Sequence, residues 1–278
     1  MRYNIKLLEV FFLPKIRVGK INMYYEIHGE GFPLVMVMGL GGPAAAWDRY
    51  IIEEFSKEFK VIILDNRGTG QTDCPKENYT IDMLADDTIG IMTALKVPRA
   101  HVLGVSMGGM IAIKLTLKHP EMVEKLVLGC TTGGVLRFVP PKGDVMQSLS
   151  GLMSGDPEEA MKAGLRILYT EDFIAEHPER IDELIEQMKN ISFSAEGVMR
   201  QLAGISVYDA YGQLHTIKNS TLILAGKKDS LVPFENSQIL SEEIPNSKLV
   251  LFEDAAHGFY SQKREEFCQI VLEFLKGP

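Results

Sequence analysis

Short apolar runs alternate with amphipathic stretches along the first half of the chain, give way to purely helical spacing, and then resume. Lys15–Val18 and Ile21–His28, joined by Gly19-Lys20, read as a pair of antiparallel strands. Residues 34–38, 61–64, 102–105 and 123–128 are brief runs rich in β-branched and aliphatic side chains, the pattern of strands buried on both faces. Residues 44–57, 81–95 and Met107–Lys118 between them carry helical periodicity. From 135 to 211 no strand pattern is evident, and apolar residues recur at helical spacing through 144–153, 157–169, 178–188 and 195–207. Strands at 221–225 and 248–252 and helices at 233–243 and 259–275 complete the pattern.

Strand–helix alternation in short units predicts an α/β fold, a mostly parallel eight-stranded sheet with helices on both faces. The interruption predicts a helical cap at 135–211, inserted into a core made of 1–134 and 212–278, with residues 1–14 as an extension. Ligands in such folds bind beyond the carboxyl ends of the strands, so the residues just after each strand are the place to look for chemistry.

Gly104-Val105-Ser106-Met107-Gly108-Gly109 lies between a strand and a helix and contains the G-x-S-x-G pattern. A turn that tight leaves no room for side chains beside the serine, and it presents the hydroxyl of Ser106 above the sheet at a helix N-terminus. A serine nucleophile needs a base. Of six histidines, only His257 directly follows a late strand, in Asp254-Ala255-Ala256-His257-Gly258, where small neighbours suggest a mobile loop. The imidazole in turn needs a carboxylate, and Asp229, after the strand at 221–225, gives the order serine, acid, histidine. Glu253 and Asp254 are rivals for that role, but sit close enough to His257 in sequence to read as loop-forming or solvated residues. After the sixth strand, Gly129-Cys130-Thr131-Thr132-Gly133 offers no carboxylate. Backbone N–H groups of Leu40, in the glycine-rich turn 38–42, and of Met107 are the candidate oxyanion donors.

Composition narrows the partners. The 278 residues carry a formal net charge of −8, with 46% hydrophobic and 24% charged residues. An acidic, well-mixed surface disfavours nucleic acid and anionic membranes, both of which call for a basic face. Three widely spaced cysteines define neither a disulfide framework nor a zinc site. Glu9 interrupts a short apolar N-terminal run that has no cleavage signature, so a reduced, cytoplasmic setting is expected. No metal-binding or dinucleotide fingerprint is present, which predicts no metal and no organic cofactor.

With these residues in place, the chain resembles the α/β-hydrolase superfamily from about Lys15 onward. Asp65-Asn66-Arg67-Gly68-Thr69-Gly70-Gln71-Thr72 is similar to its D-x-R-G-x-G-x-S loop, and Gly104 to Gly109, Gly226 to Pro233 and His257 match family blocks. The common His-Gly pair before the oxyanion turn is replaced by Met38-Gly39, which leaves the backbone donor intact. The resemblance is greatest to small carboxylesterases and enol-lactonase-like hydrolases. It implies a serine hydrolase that cleaves carboxylic esters of small to medium acyl groups through an acyl-serine. The alternatives are a lactonase or carbon–carbon bond hydrolase with the same triad, or a small-molecule receptor on the same fold. Met146, Met153, Met161, Met188 and Met199 in the cap could form an adaptable apolar pocket or pack the cap helices together. Activity is expected to rise through one limb between about pH 5.5 and 7.5 as the histidine deprotonates.

Overall fold

A computed structural model describes residues 14–143, 145, 148, 156–189 and 194–277. Its eight strands are β1 (Lys15–Val18), β2 (Ile21–His28), β3 (Phe32–Val37), β4 (Phe59–Leu64), β5 (Ala100–Val105), β6 (Val123–Gly129), β7 (Ser220–Gly226) and β8 (Ser247–Phe252). They form one sheet in the order β1-β2-β4-β3-β5-β6-β7-β8. Only the β1–β2 and β2–β4 pairings are antiparallel; from β4 to β8 every neighbour is parallel.

Side-chain alternation along the strands creates two cores. Val35, Val37, Ile62, Leu64 and Val102 point to one face, where they meet helices α2 (Ile81–Ala94) and α3 (Met107–Lys118). Leu34, Met36, Val61, Ile63 and Leu103 point to the other, against Ile51 and Phe55 of α1 (Arg49–Ser56) and against Phe267, Val271 and Leu275 near the C-terminus. Both faces are therefore dry, which explains why the central strands read as unbroken apolar runs rather than as alternating ones.

Two predicted helices are broken. Residues 44–57 begin as a short 3₁₀ turn, Ala44–Ala46, and α1 starts only at Arg49, because the Asp48 carboxylate caps it by accepting the Tyr50 N–H at 3.0 Å. The stretch 259–275 divides at Lys263, whose φ of −120° and ψ of 44° are not helical.

Between β6 and β7 lie α4 (Pro157–Leu168), α5 (Glu171–Glu176), α6 (Pro178–Lys189), α7 (Ala195–Ser206) and the single turn α8 (Tyr211–Leu214). Periodicity did not show α5, a turn and a half capped by Thr170. The stretch 144–153 falls largely outside the described residues, as do Met146 and Met153. Met161 packs beside Leu165, Tyr169 and Phe173 between helices, and Met199 is 51% exposed. The inserted helices are tied to the connection between β3 and α1 by polar contacts: Arg180 donates to Asp48 at 2.8 Å, and Gln187 donates to the carbonyls of Ala45 and Trp47.

After β7 come α9 (Glu235–Glu243), then β8, α10 (Phe259–Gln262) and α11 (Arg264–Lys276). Among the described residues, no helix is long and apolar enough to cross a membrane.

Candidate active site

Ser106 stands between β5 and α3 with φ 54° and ψ −124°. That left-handed backbone is strained for any residue with a Cβ, by roughly 1–3 kcal/mol. It is held by the residues around it. The Ser106 N–H donates to the Gly129 carbonyl at 2.8 Å. Its own carbonyl accepts the Gly109 N–H at 2.9 Å and the Thr131 hydroxyl at 2.7 Å. Thr131 was not singled out by the sequence, since a threonine after a strand carries no catalytic signal.

The flanking glycines are steric necessities. A Cβ on Gly104 would lie 2.1 Å from the Gly108 carbonyl oxygen, and one on Gly108 would lie 2.0 Å from that of Val37. Both obstacles are backbone, so neither can yield cheaply. Gly108→Ala is expected to cost about 2–4 kcal/mol of stability, measurable as a drop in unfolding midpoint in urea or heat. A parental midpoint would refute this steric reading.

Asp229, in the loop after β7, has a fully buried carboxylate. Its Oδ1 accepts the N–H groups of Leu231 and Val232, both at 2.9 Å, which leaves Oδ2 for His257 Nδ1 at 2.7 Å. A carboxylate can only accept from that nitrogen, so Nδ1 carries the proton and Nε2 is left with a lone pair. Burial disfavours the imidazolium, but the Asp229 charge, the adjacent Cys130 sulfur and the hydrogen bond outweigh it and hold the His257 pKa well above 6.5. Neither sequence rival faces the ring: Glu253 pairs with Lys227 at 2.7 Å at the surface, and Asp254 is exposed.

The loop carrying His257 is buried and held by hydrogen bonds. Ala255, Ala256 and His257 are each at most 5% exposed. The Gly258 N–H donates to Leu168 at the end of α4, and Gln262 spans the loop by accepting from Ala256 and donating to Asp254 and Thr170. Small residues are there for close packing, since a Cβ on Gly226 would sit 2.2 Å from the Ala255 carbonyl oxygen.

The turn 39–42 lies against the serine: a Cβ on Gly39 would be 3.0 Å from Ser106 Cβ. Among the described residues, no acceptor takes the N–H of Leu40 or of Met107, which leaves both available for an oxygen at this site. No hydrogen bond joins Ser106 Oγ to His257 among the described residues, a contact that often tightens only when substrate is bound. Cys130, with φ 40° just after β6, is buried beside the ring. Its Sγ, the Asp229 carboxylate and a His257 nitrogen lie within 4.8 Å of one another, the donor set that could hold a metal ion.

The fold and these motifs together define the class. The α/β hydrolase fold family matches residues 33–263, and the chain belongs to it as a hydrolase. Among its relatives is a protein of Azorhizobium caulinodans named "Putative carbamate hydrolase RutD", 30% identical over 94% of this chain and 98% of that protein. Two solved structures are similar over most of their length. One is the enol-lactonase from Burkholderia xenovorans LB400, at TM-score 0.83 and 25% identity, covering 95% of this chain and 100% of that one. The other is a meta-cleavage product hydrolase from Pseudomonas fluorescens IP01, at TM-score 0.80 and 28% identity, covering 94% of this chain and 97% of that one.

Proposed function

We propose that this hydrolase cleaves carboxylic esters of small to medium acyl groups through an acyl-serine intermediate. The observation that carries the reading is the 2.7 Å bond between His257 Nδ1 and Asp229 Oδ2, which leaves Nε2 as a base at the strand edge that also presents Ser106. In this mechanism Nε2 takes the Ser106 proton as Oγ attacks the ester carbonyl. The N–H groups of Leu40 and Met107 meet the oxyanion. The imidazolium, steadied by Asp229, then protonates the leaving alkoxide, and a water activated by the same nitrogen releases the acid. In this reading the inserted helices form the cap and set acyl-chain preference. A lactone is a cyclic ester, so the likeness to an enol-lactonase supports acyl chemistry of this kind.

The likeness to a meta-cleavage product hydrolase favours a second reading, hydrolysis of a carbon–carbon bond with the same three residues. Activated acyl esters, lactones, carbamates and dienoic ketones assayed side by side separate these. Acyl esters should give the highest kcat/KM. A preference of about tenfold or more for dienoic ketones, a difference of about 1.4 kcal/mol in transition-state binding, would replace the ester reading.

Because the neutral imidazole is the active form and its pKa is raised, kcat/KM should rise with pH through one limb whose midpoint lies above 6.5. Burial does not win the contest with Asp229, so the lower part of the range expected from sequence is disfavoured. The same raised value stabilises the fold fully below the unfolded pKa, and that contribution is lost as pH climbs through the folded one. The profile should be unchanged by EDTA. Loss of activity on chelation, restored by a divalent ion, would displace the triad mechanism.

A further inference from the structure

On α7, Gly197, Gln201 and Gly204 are buried at spacings of four and three residues, so they share one helix face. The polarity of the helix is inverted there: Gln201 is completely buried, whereas Met199 and Leu202 reach solvent. Gly197 brings the helix backbone down onto the glycine-rich loop after β4, and Gly204 onto the residues that lead into α2. A Cβ on Gly197 would lie 1.9 Å from the Gly68 carbonyl oxygen, and one on Gly204 would lie 2.9 Å from that of Tyr79. This approach delivers the Gln201 amide between two loops. Its Oε1 accepts the Gly41 N–H at 2.9 Å, and its Nε2 donates to the Arg67 carbonyl at 2.9 Å and to Thr69 Oγ1 at 2.8 Å. The partners fix which end of the amide is which, because an N–H needs an acceptor and a carbonyl needs a donor.

We infer that Gln201 is a positioning residue for the oxyanion hole, holding the Leu40 N–H in its catalytic direction by gripping the next amide in the turn. Leu40 and Gly41 are consecutive, and Gly41 has a φ of 66°, open to alternative conformations because it has no Cβ. The first half of the turn is fixed by the Asn66 amide on the Met38 carbonyl at 3.2 Å, and the far side by the Asp65 carboxylate on the Ala44 N–H. Gln201 supplies the grip between them, and it comes from the inserted helices rather than from the sheet. Electrostatic stabilisation depends on donors aimed before the charge develops, so freeing this peptide lowers the rate without loosening substrate in its ground state.

The inference rests on the acyl-transfer reading, and its test keeps the two apart. Gln201→Met removes both polar ends at nearly constant volume. Active sites are counted with a fluorophosphonate, and kcat is expressed per titrated site. It should fall about 10- to 100-fold, less than the loss of a direct oxyanion donor, with KM changed by less than about threefold. The inhibition constant of a trifluoromethyl ketone, whose hemiketal oxygen occupies the same hole, should rise by the same factor. Thr69→Val loses a bond only on the Nε2 side and should keep the parental kcat. If Gln201→Met does not fold, Gln201→Asn, polar but one methylene shorter, takes its place. The inference fails if kcat per titrated site is unchanged, if KM alone rises, or if Thr69→Val is equally damaging. Wild-type protein that is labelled by fluorophosphonate but turns over no ester would instead remove the ester reading, and the ketone comparison would still judge Gln201.

Discussion

Ser106→Ala is expected to reduce kcat on an activated ester by about 10⁴-fold or more while leaving the protein folded. The loss follows from removing the only atom that forms the acyl bond in the proposed mechanism. Retention of the fold follows from how the residue is held. Its strained backbone is fixed by main-chain bonds to Gly129 and Gly109 and by the Thr131 hydroxyl, none of which uses the serine side chain. Alanine and serine bear the same penalty at φ 54°. Circular dichroism and the thermal midpoint should match the parent, and fluorophosphonate labelling should vanish. Near-parental turnover in the variant would mean that another group is the nucleophile.

Asp229→Asn should be almost as damaging, with kcat falling on the order of 10⁴-fold and KM little changed. The geometry says why an isosteric amide fails. Two backbone N–H groups, of Leu231 and Val232, converge on Oδ1, so an asparagine must place its oxygen there. Its NH₂ then faces His257 Nδ1, which has to become an acceptor. The ring proton moves to Nε2, and the base that should take the serine proton has none of its lone pair left to do so. Glu253→Gln and Asp254→Asn, at exposed positions, should change kcat by less than about threefold. Were Asp254→Asn the more harmful substitution, the acid would have been assigned to the wrong residue.

The sheet was legible from sequence because strands buried on both faces leave an unmistakable apolar signature, and because the glycines at 104, 108 and 226 mark places where a side chain has no room. Tight turns are local, so a single sequence reports them. What it could not report was anything settled by distant contact. The segment with Ala255, Ala256 and Gly258 is bonded to Gln262 and to the Leu168 carbonyl from α4, contacts that no local pattern reveals. Cys130 registered in the sequence as one of three isolated cysteines and as the absence of a carboxylate after the sixth strand, although its sulfur lies within 4.8 Å of the imidazole. Gln201 carried no signal of its own in the sequence, and its burial is set by partners in the loops after β3 and β4. In each case the deciding partner lies on another element, so burial and hydrogen bonding override the local pattern.

Strand β6 pairs with β7 from Lys125 and Ser220 to Gly129 and Leu224, across the whole inserted segment. During synthesis the growing chain therefore carries an unpaired β6 edge, lined with Leu126, Val127 and Leu128, until β7 leaves the ribosome. At about 5–20 residues per second, that wait lasts roughly five to twenty seconds. An apolar open edge is a template for pairing with other chains. The protein should thus depend on chaperone shielding most heavily between completion of its sixth strand and arrival of its seventh. Nascent chains truncated in that interval should aggregate more readily than those ending after β8.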